Sequence, residues 1–167
     1  GTPVAGAATV SDDSADFDTG TLTVQITTGS TPADLLTVQN NGLVSLSAGD
    51  VIYNGTTVGT LAGGTGATPL VITFDPDATR PVVEAVLQNV VFSTPAGTTD
   101  RVLSVVLTDG DGGTSAAAGV TVRVADQVTT VSLTKTDPAA AVRGPSLSWV
   151  LTTDLPVGGF NPTNFLL

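Results

Sequence analysis

The chain has 167 residues, with five Lys and Arg against 15 Asp and Glu, a formal net charge of −10, and no Cys, His or Met. Such a balance excludes the basic footprint by which nucleic acid or an anionic membrane surface is held. The missing cysteines and histidines remove disulfides, zinc-thiolate sites and the usual activated nucleophiles together.

Hydrophobic residues make up 41 % of the chain but aromatics only 4 %, so Val, Leu and Ala supply the core. That composition suits strands better than helices. No apolar run approaches the ~20 residues of a membrane helix. Opening at Gly1 without an initiator Met or a signal peptide, the sequence reads as a mature or excised piece.

In chain order, Thr2 to Val10 is expected as a weak apolar strand. It runs into Ser11-Asp-Asp-Ser-Ala-Asp-Phe-Asp18, which carries Asp12, Asp13, Asp16 and Asp18. Thr21 to Thr27 alternates cleanly, with Leu22, Val24 and Ile26 to one face. A meander follows, with strands expected at Leu43–Leu46, Val51–Tyr53 and Thr57–Leu61. Its punctuation is Asn40-Asn-Gly42 and Asn54-Gly55, dipeptides that supply the positive φ of tight turns.

Gly63-Gly-Thr-Gly66 lacks the Lys-Ser/Thr and the following helix of a phosphate loop, and reads as a connector into Leu70–Phe74. A single short helix is expected next. Asp77 or Thr79 would cap it, Pro81 suits its first turn, Val82, Val83, Val86 and Leu87 line one face, and it ends near Asn89. Asp75 and Asp77, flanking Pro76, read as turn and cap. Extended structure resumes at Val90–Phe92 and again at Arg101–Thr108. It then turns through Asp109-Gly-Asp-Gly-Gly113 and returns in a strand ending at Val124.

Composition shifts at Asp126. All of the net negative charge lies before Gln127, and the remainder is neutral. Two more alternating strands are expected there, Val128–Leu133 and Ser146–Thr152, the second with Trp149 on the face of Leu147 and Leu151. A further strand can begin at Asn164. The expected organisation is therefore all-β: a Greek-key β-sandwich with one short helix over 1–126, followed by an incomplete second sandwich over 127–167.

Several stretches carry a family resemblance: Thr9 to Val24, Tyr53 to Gly64, Thr68 to Phe74, Val86 to Phe92 and Asp100 to Ser115. In that order they resemble the cadherin-like repeats of very large bacterial adhesins exported by type I secretion. The tail, with Pro156-Val-Gly-Gly-Phe160 before Asn164-Phe165, is similar to the first half of another bacterial Ig-like repeat. The resemblance implies extracellular, tandemly repeated, Ca²⁺-stabilised Ig/cadherin-like sandwiches on a bacterial cell surface. Their partners would be neighbouring repeats or neighbouring subunits. Family openings often read Asp-x-Asp-Ser where this chain has Asp12-Asp13-Ser14.

Calcium takes about six to eight oxygens from carboxylates, carbonyls and water. Asp109 and Asp111 are candidate ligands in a glycine-rich turn that lets carbonyls face inward. They do not form an EF-hand loop, because Val120 stands where its bidentate Glu would fall. Two carboxylates are too few alone, so Asp12, Asp13 and Asp16, or Asp100 or Asp126, would complete the site if loops at one end of the sandwich converge. Asp18, close to Gly20, reads as hairpin chemistry. Arg101, at a strand edge, reads as a structural ion-pair partner for a carboxylate. Tyr53 and Trp149 read as packing residues, not as a glycan platform. With no His, no Cys and a single Glu, the acids clustered in turns suggest no catalytic role.

Overall fold

The structure is a computed structural model. It describes residues 1–13, 16–95, 97 and 99–124, together with strands at 131–135 and 149–153. Alternation in Thr21–Thr28 produces β2, which buries Leu22, Val24 and Ile26 and turns Thr and Gln outward. A short β1 at Thr2–Pro3 precedes it. After it come β3 (Leu35–Val38), β4 (Val44–Ser47), β5 (Asp50–Tyr53), β6 (Thr56–Gly63) and β7 (Leu70–Phe74). Helix α1 (Arg80–Gln88) then leads to β8 (Val90–Ser93), β9 (Arg101–Leu107) and β10 (Ala118–Val122).

Two antiparallel sheets result. The larger has seven strands in the order β10-β9-β2-β7-β6-β5-β4, and the smaller has three, β1-β8-β3. The β5–β6–β7 meander brings β7 back beside β2 after a long connection, a Greek-key arrangement. β2 sits between β7 and β9, and so anchors the larger sheet on both sides.

One core joins the two sheets. Leu22, Val24, Leu70, Ile72, Leu103 and Val105 of the larger sheet pack in a cluster with Leu36, Val38, Val90 and Phe92 of the smaller. Burying each such side chain contributes about 1.5–3 kcal/mol. Phe17 and Phe74 meet edge to face with centroids 6.4 Å apart. Helix α1 adds Val82, Val83, Val86 and Leu87, its buried face. Thr79 stands at the N-cap position but makes no side-chain cap bond there. Pro81 falls in the first turn and Asn89 at the C-cap.

One local expectation differs from the fold, and two features had no expectation. Thr2–Val10 yields a ladder only at Thr2–Pro3. Beyond it the segment is held from the helix: Val10 N donates to Glu84 Oε2 at 2.9 Å, and Gln88 Nε2 donates to the Ala8 carbonyl at 2.8 Å. β3 was not anticipated, since Leu35-Leu-Thr-Val38 alternates too briefly to stand out. The β4–β5 hairpin closes through Ala48 (φ 53°) and Gly49 (φ 97°), a positive-φ pair built on an alanine. The Asn54–Gly55 turn does take positive φ at both residues, 50° and 87°.

The chain divides into two units, Gly1–Ala125 and Asp126–Leu167. In the second, β11 (Val131–Lys135) pairs antiparallel with β12 (Trp149–Thr153). The face expected for Leu147, Trp149 and Leu151, the strand start at Asn164, and Asp126 lie outside the described residues.

Candidate functional site

The β9–β10 connection closes on itself. Asp109 Oδ1 accepts from Asp111 N at 2.8 Å and from Gly113 N at 2.9 Å. Asp109 N returns a bond to the Gly113 carbonyl at 3.3 Å, and Thr108 bridges Thr114. Gly110 and Gly112 take φ of 92° and 109°. The carboxylate packs so closely on Gly113 that a β-carbon there would collide with it. Asp109 is 9 % exposed, whereas Asp111 is exposed to solvent. The two acids therefore do different jobs: Asp109 closes the loop, and Asp111 faces outward.

The Asp16–Gly20 loop packs against this one. A side chain at Gly110 would run into the Asp18 carbonyl, and one at Gly20 would meet the Thr108 carbonyl at 2.5 Å. Thr21 N donates to Thr108 Oγ1 at 2.8 Å, and the two threonine hydroxyls lie 3.0 Å apart. Asp16 bridges Thr79 through its backbone, and its Oδ1 accepts from Asp18 N at 3.2 Å.

The loops thus meet through Asp18 and Gly20. Asp12 is half-buried and Asp13 exposed, both in the segment leading to that loop. Among the described residues no three acidic side chains gather as a metal-holding group. The carboxylates fit Ca²⁺ only in part, because Asp109 Oδ1 is already committed to two amides.

The strongest electrostatic feature is elsewhere, and the sequence indicated only half of it. Arg101, opening β9 in the larger sheet, pairs with Asp34, which immediately precedes β3 in the smaller. Nε donates to Oδ2 at 2.7 Å and Nη2 to Oδ1 at 3.1 Å, a two-pronged contact. Their side chains are 1 % and 0 % exposed.

Thr31 N and Thr31 Oγ1 reach the same carboxylate at 2.8 and 2.9 Å, Thr94 adds a further bond, and Arg101 Nη1 donates to the Thr99 carbonyl. Burial pushes the Asp34 carboxyl up, but Arg101, the Thr31 amide, Thr94 and the Thr31 hydroxyl together bring it down to about 2. The Asp34 hydrogen bond raises the Arg101 guanidinium against the cost of desolvation. The only sequence signal for Asp34 was the turn pattern Thr31-Pro32-Ala33-Asp34, closed by Asp34 N to the Thr31 carbonyl at 3.1 Å.

One cavity of ≈ 360 Å³ is lined by Ser30, Thr31, Pro32, Thr65, Gly66 and Ala67. A second of ≈ 350 Å³ lies among Ala5, Ala8, Val10, Leu87, Val105, Leu107 and Val120 with a few hydroxyls. No acidic or basic side chain lines either. Among the described residues no helix is long and apolar enough to cross a membrane. No family model, curated protein or solved structure matches the chain.

Proposed function

We propose that this chain is a non-catalytic structural module, a Ca²⁺-stabilised stalk repeat of a bacterial surface adhesin working outside the cell. The observation that carries the reading is architectural. An all-β sandwich ending at Ala125 is followed directly by a second unit with its own antiparallel strand pair, as expected of repeats in tandem. The repeat-like phrases at 9–24, 53–64, 68–74, 86–92 and 100–115 support it.

Its task is mechanical. A sandwich whose two sheets share one core and one buried ion pair resists shear, and a row of such units projects a distal receptor-binding domain. Partners are then neighbouring repeats of the same chain. Within this proposal, Asp111, exposed at its turn, and Asp16, half-buried in the neighbouring loop, are the cation-facing candidates, with Asp12 and Asp13 upstream and Asp109 holding the loop in shape. Thermal melting in Ca²⁺ against chelator tests it. Binding to the folded state raises the midpoint by mass action. An unchanged midpoint, insensitive to Asp111→Asn and Asp16→Asn, removes calcium from the proposal.

A second reading is favoured by β11 and β12, which among the described residues pair with each other in a two-stranded sheet. Two strands alone are marginal in water, and strand addition from a neighbouring subunit would complete them. On that reading the protein is a self-assembling subunit of a surface layer or filament. Concentration-dependent assembly that disappears on deleting 128–167 supports it; a monomer at all concentrations rejects it.

A further inference from the structure

The described residues contain two Asn-Gly steps, Asn41-Gly42 and Asn54-Gly55, and they offer a controlled comparison. All four residues are exposed, and a β-carbon on either glycine would meet nothing within 4 Å. The two asparagine side chains differ in what holds them.

Asn41 Oδ1 accepts from Leu43 N at 3.0 Å and Val44 N at 2.8 Å, and its Nδ2 donates to Asn89 Oδ1 at 2.8 Å. The Asn54 side chain has no hydrogen-bond partner among the described residues, and Asn54 sits at the tip of the β5–β6 hairpin with φ 50°.

We infer that Asn54 is a spontaneous modification site, an amide that deamidates in the folded protein while Asn41 is protected. The chemistry needs only water and hydroxide. Deprotonated Gly55 N attacks Asn54 Cγ; the new N–Cγ bond forms, the Cγ–Nδ2 bond breaks, and ammonia leaves with a proton, giving a cyclic imide. Water then opens one of the imide's two C–N bonds. Opening at Cγ leaves an aspartate in a normal chain. Opening at the main-chain carbonyl leaves an isoaspartyl linkage with one extra backbone carbon. No redox partner takes part.

Glycine at the following position leaves the attacking nitrogen unshielded. The reaction draws on opening of the hairpin tip, since ring closure swings Asn54 out of its left-handed geometry. At Asn41, whose φ is not positive, turning the side chain toward Gly42 N must first break three hydrogen bonds. Each conversion adds one negative charge at the tip. The isoaspartyl product also lengthens a two-residue loop whose twist sets the strand register.

The test is peptide mapping of the intact, folded chain incubated at mildly alkaline pH. Cleavage after Tyr53 separates the two steps, and digestion in isotopically heavy water marks any conversion that occurs during handling. The expected result is conversion at Asn54 at least about tenfold faster than at Asn41. In the denatured chain the two rates become comparable. An acidic charge variant accumulates in parallel and is absent from Asn54→Ser. Equal rates in the folded chain overturn the inference. So does an Asn54 that stays intact while the denatured chain converts.

Discussion

Truncating Arg101 to alanine isolates the strongest interaction in the fold. It leaves the Asp34 carboxylate at 0 % exposure with its threonine bonds but without its counter-charge. Removing one partner of a buried pair costs about 3–5 kcal/mol, mostly the cost of an uncompensated buried charge. Set against a total of about 5–15 kcal/mol for a domain, that brings the first unit close to unfolding. Replacing both residues with apolar ones of similar size, Asp34→Leu with Arg101→Met, recovers most of the loss, because no charge is then stranded.

Acid provides the independent arm. The folded pKa of Asp34, about 2, lies below the ordinary 3.8. Its stabilisation is therefore complete above the unfolded value and is lost as pH falls through the folded one. The difference is worth about 2 kcal/mol. Urea unfolding followed by circular dichroism, with hydrogen exchange assigning the transition to residues 1–125, measures both quantities. A loss below about 1 kcal/mol for Arg101→Ala would refute the reasoning. So would a wild-type acid dependence between about pH 5 and 2 that persists unchanged in the double variant.

Three further outcomes are expected. In chelator, Asp109→Ala destabilises by about 1–3 kcal/mol, because the Asp111 and Gly113 amides lose their acceptor. Asp111→Ala stays within about 0.5 kcal/mol, as an exposed side chain should; equal losses in urea melts would contradict this division. Gly110→Ala costs more than about 1 kcal/mol, since φ of 92° and the Asp18 carbonyl both oppose a β-carbon, and a neutral melting midpoint contradicts it. Ala48→Asn raises stability by about 0.5–1 kcal/mol, because asparagine tolerates the left-handed φ that alanine resists. A lowered melting midpoint for that variant would refute it.

The elements legible in the sequence were those whose pattern is local. Leu22, Val24 and Ile26 declare a half-buried strand by period alone, and Pro81 with Val82, Val83, Val86 and Leu87 declares a short helix. Leu70–Phe74 was bounded correctly at both ends. What escaped depends on distant partners. Asp34 is an acid beside a turn until Arg101, 67 residues away, arrives to neutralise it. The N-terminal segment has a strand's composition, yet Glu84 and Gln88 of the helix bind its backbone where a ladder was expected. Ala48 is silent in the sequence because alanine carries no signal for positive φ. The acidic loops approach each other through the Asp18 carbonyl and Gly20, whereas the sequence marks Asp18 only as hairpin chemistry.

The internal closure of the Asp109 loop sets how strongly calcium can act there. The central carboxylate of this loop already accepts two amides at 2.8 and 2.9 Å, so a cation would add to a hairpin that its own hydrogen bonds close. Any site built on Asp111 and Asp16 offers few charged oxygens, and affinity in oxygen-ligand sites rises with the number of charged ligands and the rigidity of the cage. Its dissociation constant should fall in the weak range of extracellular modules, about 10⁻⁴–10⁻³ M. Mass action then yields about 1.4–2.7 kcal/mol at ten to a hundred times that constant, and almost nothing at micromolar calcium. A melting midpoint that climbs only in millimolar Ca²⁺ matches this reasoning. Saturation at micromolar Ca²⁺ would require a fuller ligand set than the described carboxylates provide, and would move the site away from this loop.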